Sequence, residues 1–114
     1  MEKKQVIYDF YAAINDGDLE ALFKCFHKKN SAVVEIKEQY RILFEQYKVN
    51  SKILNCQVIG EDENNIIIKD QVDTIKISGP VFKDNQTKSI YILEKEADSN
   101  WTILSSSLIE VSYF

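Results

Sequence analysis

Arginine, histidine and glycine are scarce in this chain of 114 residues. Arg41 is its one arginine, and because arginine is the usual fork for binding phosphate or carboxylate, we predict no dedicated anion site. The glycines, Gly17, Gly60 and Gly79, are isolated and form no phosphate-cradling loop. His27 is the one histidine and no cysteines are clustered, so we expect no metal and no cofactor.

Positive charge and long apolar runs are also lacking. The net charge of −4 provides no basic field, so we expect neither nucleic acid nor a membrane as a partner. No run approaches the roughly 18 apolar residues of a membrane span. Asp9 and Asp16 interrupt the N-terminal segment, which therefore does not resemble a signal peptide. We interpret Cys25 and Cys56 as reduced core residues rather than a disulfide, and we expect a cytoplasmic protein.

The length allows one domain, residues 1–114, and its first half shows helical periodicity. Two sets of apolar residues follow the spacing of one-faced helices: Ile7, Phe10, Tyr11 and Ile14, then Leu19, Leu22, Phe23 and Phe26. Gly17 is suited to end the first helix, and Asp18 to cap the second. We predict a third helix with Ser31 as its cap and with one apolar face formed by Val33, Ile36, Tyr40, Phe44 and Tyr47.

From Ser51 onward, isoleucine, valine and threonine indicate β-structure. We predict strands at residues 51–60, 65–78, 86–96 and 100–112. Their short polar connections favour an antiparallel meander. The predicted fold class is α+β, with three N-terminal helices packed on a curved four-stranded antiparallel sheet, a cone-like α+β roll.

Both faces of the predicted strands are apolar. In strand two, Ile66, Ile68 and Val72 share one face, whereas Ile67, Ile75 and Ile77 occupy the other. In strand three, Tyr91 and Leu93 lie on one face, and Ile90 and Ile92 lie on the other. Strand four also has apolar residues on both faces: one face has Trp101, Ile103, Ile109, Val111 and Tyr113, and the other has Leu104, Leu108 and Phe114. One interpretation is a symmetric homodimer through the outer face. The other is that β-bulges shift the register and mix the faces.

The opening segment Phe10–Leu22, FYAAINDGDLEAL, resembles the first helix pair of the nuclear transport factor 2-like superfamily, a cystatin-like cone fold that includes the SnoaL-like proteins. The later order of elements is also similar, including the strand ending Lys76-Ile77-Ser78-Gly79-Pro80 and a last strand beginning at Trp101. The resemblance implies a pocket at the open end of the cone and frequent dimerisation through the outer sheet face. Members include isomerases, dehydratases and transport adaptors, so the fold does not define an activity. Many members have a short strand where residues 32–47 here indicate helix, which implies a smaller pocket.

Asp70 is the most suggestive candidate for chemistry. It shares a strand face with Ile68 and Val72, and apolar neighbours raise the pKa of a carboxyl toward that of a general base. The resemblance implies a tyrosine as oxyanion donor, either Tyr11 or Tyr40. The alternative is an acid at a wet rim or paired with a lysine.

A ligand pocket would be lined by rings with polar tips, and our candidates are Tyr11, Tyr40, Asp70, Tyr91 and Trp101. We expect His27 to lie in solvent at the end of helix two. The sequence Ser105-Ser106-Ser107 lacks the surroundings of a nucleophile elbow.

Three functions are consistent with these features. The first is a non-enzymatic dimeric module that binds a small apolar ligand or a protein partner. The second is a small lyase or isomerase acting on a hydrophobic carbonyl compound, with Asp70 as general base. The third is a structural dimer whose cone is filled by side chains.

Overall fold

The computed structural model describes residues 3–114; Met1 and Glu2, which the predicted domain includes, lie outside the described residues. Three helices precede four strands: α1 Gln5–Asp16, α2 Leu19–Phe23, α3 Val33–Gln46, β1 Lys48–Glu61, β2 Asn65–Ser78, β3 Asn85–Lys95 and β4 Trp101–Tyr113. The strands form one antiparallel sheet in the order β1-β2-β3-β4. The predicted α+β class and meander are therefore confirmed. No helix among residues 3–114 is long and apolar enough to cross a membrane.

The break between α1 and α2 follows the sequence prediction. Gly17 has a φ of 65°, the left-handed conformation that closes a helix, and its N–H donates to Ile14 O at 3.2 Å. The Asp18 carboxylate accepts a hydrogen bond from the N–H of Ala21 at 3.0 Å and caps α2. The predicted apolar face of α1 is buried against the sheet and neighbouring helices.

The second helix is shorter than predicted. It ends at Phe23, after which the chain extends and pairs in parallel with the edge of β4 at Ile103. The N–H of His27 donates to Ile103 O at 2.9 Å, and the N–H of Ile103 donates to Cys25 O at 2.8 Å. The expectation that Phe26 lies in the helix was wrong, because the chain turns at residues 24–25 and Phe26 pairs with Ile103 instead of continuing the helix.

The third helix is a half-buried cover, with none of its residues fully buried. Its predicted apolar face packs partly against the core. The predicted Ser31 cap was wrong: Asn30 Oδ1 accepts from the N–H of Ala32 at 2.9 Å in the turn before the helix. The side-chain amide of Asn30 donates to Ile103 O at 3.2 Å, so this start of α3 is anchored to β4.

The sheet has both a partly exposed apolar outer face and β-bulges in its edge pairings. Tyr91 and Leu93 are buried inside, whereas Ile67, Ile75 and Ile77 are between 36% and 55% exposed outside. The central β2–β3 pairing has no register shift, but both edge pairings have bulges. In β4 these bulges place Leu108 opposite Ser89, on the inner face, so the prediction that Leu108 and Ile103 have opposite parity was wrong.

Candidate functional site

A cavity of about 420 Å³ lies inside the cone, between α1, α3 and the inner sheet face. Rings from both helices and β3 line one part of it: Phe10, Tyr11, Tyr40, Tyr91, with Phe82 from the β2–β3 connection. Hydroxyl side chains of the strands line another part: Ser51, Thr74, Thr87, Ser89, Ser106 and Ser107. No charged side chain lines this cavity among the described residues. It is therefore suited to an uncharged guest.

Two tyrosines meet at the wall of this cavity. The hydroxyl oxygens of Tyr11 on α1 and Tyr91 on β3 are 2.6 Å apart and share a hydrogen bond. The Phe10 ring fixes them from the side, with its centroid 5.0 Å from that of Tyr11 and 6.3 Å from that of Tyr91. Burial, together with the nearby Asp70 charge, raises the pKa of both phenols. Both are therefore protonated donors at neutral pH.

Asp70 lies behind this tyrosine pair and is 2% exposed. Its neighbours along the inner face of β2 are Ile68 and Val72, and its cross-strand partners are Cys56 and Ser89. Burial raises the pKa of Asp70 to about 6, while the Tyr91 and Tyr11 hydroxyls and the Ser89 N–H act in the opposite direction. Within residues 3–114 neither carboxylate oxygen makes a hydrogen bond of ordinary geometry, so these donors only partly offset the cost of burial.

The carboxyl of Asp70 is separated from the cavity. Tyr11, Tyr91 and Ser89 line the cavity, whereas Asp70 is not among the described residues that line it. A guest would therefore meet two phenol groups and a serine hydroxyl before it met the carboxylate. The arrangement can donate hydrogen bonds to a neutral oxygen atom and hold it against aromatic rings.

The structure brings four of the five predicted ligand residues together. Tyr40, on α3, lines the cavity with its ring centroid 6.0 Å from that of Phe10, and burial raises its pKa to about 12. Of the two predicted partners of Asp70, Tyr11 influences its pKa directly. Trp101 lies outside the cone, on a separate groove. The roles of all five in binding stay predictions.

Sequence reasoning missed the strand hydroxyls of the cavity. Thr87, Ser89 and Tyr91 are two residues apart along β3 and therefore share one face of the sheet. The prediction that Tyr91 lines the cavity could have been extended to Thr87 and Ser89. Ser106 lies opposite Tyr91 only because of the β4 bulge between Ile103 and Ser105. That bulge has no local signature in the sequence.

His27 is buried rather than solvated, so that expectation was wrong. Its Nδ1 accepts from the N–H of Lys29 at 3.0 Å, and its Nε2 is 3.9 Å from a Glu94 carboxylate oxygen. The pairing of residues 25–27 with β4 draws the imidazole inside. Within residues 3–114, no three histidine, cysteine, aspartate or glutamate side chains are grouped to hold a metal ion.

Comparisons with solved structures show the nuclear transport factor 2-like fold that the opening helix pair resembles. A candidate aromatic ring hydroxylase from Novosphingobium aromaticivorans has a TM-score of 0.80 at 12% identity, with 97% of this chain and 90% of that chain covered. A ketosteroid isomerase-like protein from Erwinia carotovora atroseptica has a TM-score of 0.72 at 14% identity, with 95% and 94% covered. A nuclear transport factor 2-like superfamily protein from Salmonella enterica has a TM-score of 0.76 at 12% identity, with 93% of this chain and 86% of that chain covered.

At these identities the similar structures establish the fold and no activity. They include proteins named as enzymes and proteins named only by their fold. No curated protein matches the sequence. A family model described as "Anti-sigma-I factor RsgI9, C-terminal domain" matches residues 5–114. The chain therefore belongs to the family of the C-terminal domain of the anti-sigma-I factor RsgI9 and has a nuclear transport factor 2-like fold.

Proposed function

We propose that this domain is a non-catalytic module that binds a small, uncharged, mainly apolar molecule inside its cone. The observation that carries the proposal is a 420 Å³ cavity lined by rings and hydroxyl groups, with no charged side chain among the described residues that line it. A cavity of this size is within the range of small-molecule sites. The family is named for a domain of an anti-sigma factor, a regulatory class of protein, and ligand binding without turnover suits such a domain.

The tyrosine pair supplies the polar contact of the proposed site. The Tyr11–Tyr91 contact uses the hydrogen of one phenol, so the other phenol can donate to a ligand oxygen while the 2.6 Å contact and Phe10 hold both rings in place. The remainder of the ligand lies against rings, where burial of apolar surface provides the affinity. A carboxylate ligand is disfavoured because Asp70 stands directly behind the phenols.

Thermal unfolding with three naphthalene probes tests this site. We expect 2-naphthol and 2-acetylnaphthalene to raise the Tm, and 2-naphthoate to leave it unchanged. At about ten times Kd a ligand stabilises the native state by about 1.4 kcal/mol. For a domain of this size that corresponds to about 5 °C.

Matched variants locate the binding. Unsubstituted naphthalene is a fourth probe, which we expect to raise the Tm through apolar contact alone. Tyr91→Phe should weaken the effect of 2-naphthol and leave that of naphthalene unchanged, because only the hydroxyl contact is lost. Tyr8→Phe changes an exposed tyrosine on α1 and should leave both responses unaltered. If no probe shifts the Tm, the binding proposal fails and a cone filled by side chains is favoured.

One observation favours a second candidate, a lyase or isomerase with Asp70 as general base. The pKa of Asp70 is raised to about 6, and two phenol donors stand beside it. Such a base would exchange the α-protons of a cyclic ketone such as 2-tetralone in D₂O, as followed by NMR. Exchange that Asp70→Asn abolishes would replace the binding proposal with the enzymatic one.

We also propose that the protein is a homodimer formed through the outer sheet face. Ile67 on β2 and Ile92 on β3 are cross-strand neighbours on that face, and Ile90 follows on β3. This isoleucine cluster is partly exposed in the single chain. A two-fold axis would bring two copies of it together and bury both.

Sedimentation velocity tests the dimer. We expect Ile90→Lys to give a monomer, because a lysine at the centre of the interface leaves buried charge without a partner. Val81→Lys introduces the same charge in the exposed β2–β3 connection and should leave the dimer intact. An Ile90→Lys protein that sediments like the unmodified chain would exclude this interface.

The proposed compartment is the cytoplasm. Cys25 and Cys56 are both buried, and neither forms a disulfide within residues 3–114. Burial raises the pKa of the Cys25 thiol to about 12, with the Asp9 charge adding to the effect. Two buried cysteines that are not joined in a disulfide are compatible with a reducing environment.

A further inference from the structure

A second and larger concavity lies on the outside of the cone. This outer groove, of about 990 Å³, runs between the solvent side of α1, the chain after α2 and the β3–β4 turn. Phe26 is the one described residue that lines both the outer groove and the cone cavity. We propose that the outer groove docks a segment of a partner protein in which basic side chains stand beside apolar ones.

Apolar side chains line much of the outer groove. Ala12 and Ala13 on α1 are small and allow a partner backbone to approach the helix closely. Phe23, just before the chain leaves α2, is 41% exposed, and Trp101 at the start of β4 is half-buried. Aromatic rings at a concave surface are the residues that most often anchor a protein partner.

The negative charge of the outer groove is concentrated on α1 and on the β3–β4 turn. Asp9 and Asp16 are seven residues apart on α1, so both lie on the same side of that helix, and both line the groove. Glu96 and Asp98, from the β3–β4 turn, line it as well. Among the described lining residues these four carboxylates stand against the ammonium groups of Lys24 and Lys28, while Lys37 and Lys95 lie over the Phe23 and Trp101 rings, 4.6 and 5.4 Å from their centroids. A basic segment is the complementary occupant.

The carboxylates keep acceptor capacity for a partner. Glu96 accepts from the backbone N–H of Lys28, and Asp98 accepts from Asn100 within its turn. Asp9 accepts from the side-chain amide of Gln5. A carboxylate has about four lone-pair sites, so each of these bonds leaves room for a lysine or arginine donor.

A buried polar group without a partner supplies an independent indication. Thr102, beside Trp101, lines the outer groove and is 7% exposed, and its Oγ1 makes no hydrogen bond within residues 3–114. Native structures leave few such groups unpaired. A backbone N–H or C=O of a docked segment would satisfy this hydroxyl and exclude solvent from it.

Two fluorescein-labelled peptides test the inference on the full chain. One alternates leucine and lysine in an amphipathic pattern, and the other has glutamate in place of each lysine. We expect fluorescence anisotropy to show binding of the lysine peptide alone, and the affinity to fall as salt is added. An unlabelled copy should shift the emission of Trp101, the one tryptophan of the chain.

Charge variants localise the contact. The double change Asp9→Asn and Asp16→Asn should weaken binding about three- to tenfold, as expected for removal of two exposed attractions. The double change Glu63→Gln and Glu110→Gln removes the same charge from surfaces outside the groove and should leave affinity unaltered. Both double variants should keep their response to 2-naphthol, which reports on the cone.

Three results would overturn the docking proposal. They are equal affinity for the lysine and glutamate peptides, equal loss of affinity in the two double variants, and no change in Trp101 emission at saturation. Self-association that buries Trp101 without added peptide would replace the partner segment with a second copy of this chain. None of these outcomes depends on whether the cone binds naphthols.

Discussion

Replacing Asp70 by asparagine should raise the free energy of unfolding by about 2 kcal/mol at about pH 7.5. The folded protein holds this carboxyl with a pKa raised to about 6, from 3.8 in the absence of the fold. A shift of that size corresponds to at most about 3 kcal/mol, at about 1.4 kcal/mol per pKa unit. The buried amide of asparagine has its own smaller cost, which reduces the gain.

The sign of the pH dependence follows from the direction of the shift. Because the folded state binds the Asp70 proton more tightly than the unfolded state, unmodified protein loses stability as pH rises from about 4 through about 6. Below about pH 4 the carboxyl is protonated in both states and this cost is absent. The advantage of Asp70→Asn should therefore be full above about pH 6 and vanish below about pH 4.

Urea unfolding across this pH range, followed by circular dichroism, measures the effect. Glu63→Gln changes an exposed carboxyl in the β1–β2 turn and should give a curve parallel to that of the unmodified protein. A destabilised Asp70→Asn variant with no change in pH slope would contradict the prediction. Such a result would mean that hydrogen bonds from the tyrosine hydroxyls stabilise the ionised Asp70 as well as water does.

Replacing Gly79 by alanine should lower the free energy of unfolding by about 3 kcal/mol. Gly79 follows β2 with a φ of 121°, a conformation that residues with a side chain rarely adopt. An added Cβ would lie 2.5 Å from the backbone oxygen of Gln46 and 2.8 Å from Cδ1 of Tyr47. Because the nearest atom is backbone, the clash can be relieved only by moving the end of α3.

Gly17→Ala is the matched control. Gly17 also has a positive φ, of 65°, but no atom of the described part of the chain lies within 4 Å of its added Cβ. Gly17→Ala should lower the free energy of unfolding by about 1 kcal/mol, the penalty for placing alanine in the left-handed conformation. If chemical denaturation gives equal losses for the two variants, the close approach of Gly79 to α3 is not a determinant of stability.

The sequence predicted the elements whose signals are local. Apolar spacing located the buried face of α1, and Gly17 with Asp18 located the break before α2. Period-two alternation separated Ile66 and Ile68 from Ile67 and also placed Asp70 on the buried face of β2. These predictions held because each pattern depends on neighbours within one helix or strand.

The errors concern contacts between distant segments. Phe26 continues a helical pattern, yet it pairs with Ile103, and this pairing buries His27 as well. The β4 bulges turned Leu108 inward against the simple alternation. Trp101 was grouped with the tyrosines because it is aromatic, but its position at the start of β4 puts it on the outer groove. None of these outcomes is visible within one segment.

Both pairings that involve an edge strand of the sheet contain register shifts, whereas the central β2–β3 pairing has none. Between the shifts, β1 is regular over residues 49–53 and 55–58, and β4 is regular over residues 101–103, 105–108 and 110–113. A strand from another molecule needs a longer even row of free amides and carbonyls to add itself to a sheet. These interruptions make each border of the sheet a poorer template for fibril growth than an uninterrupted strand of the same length would be.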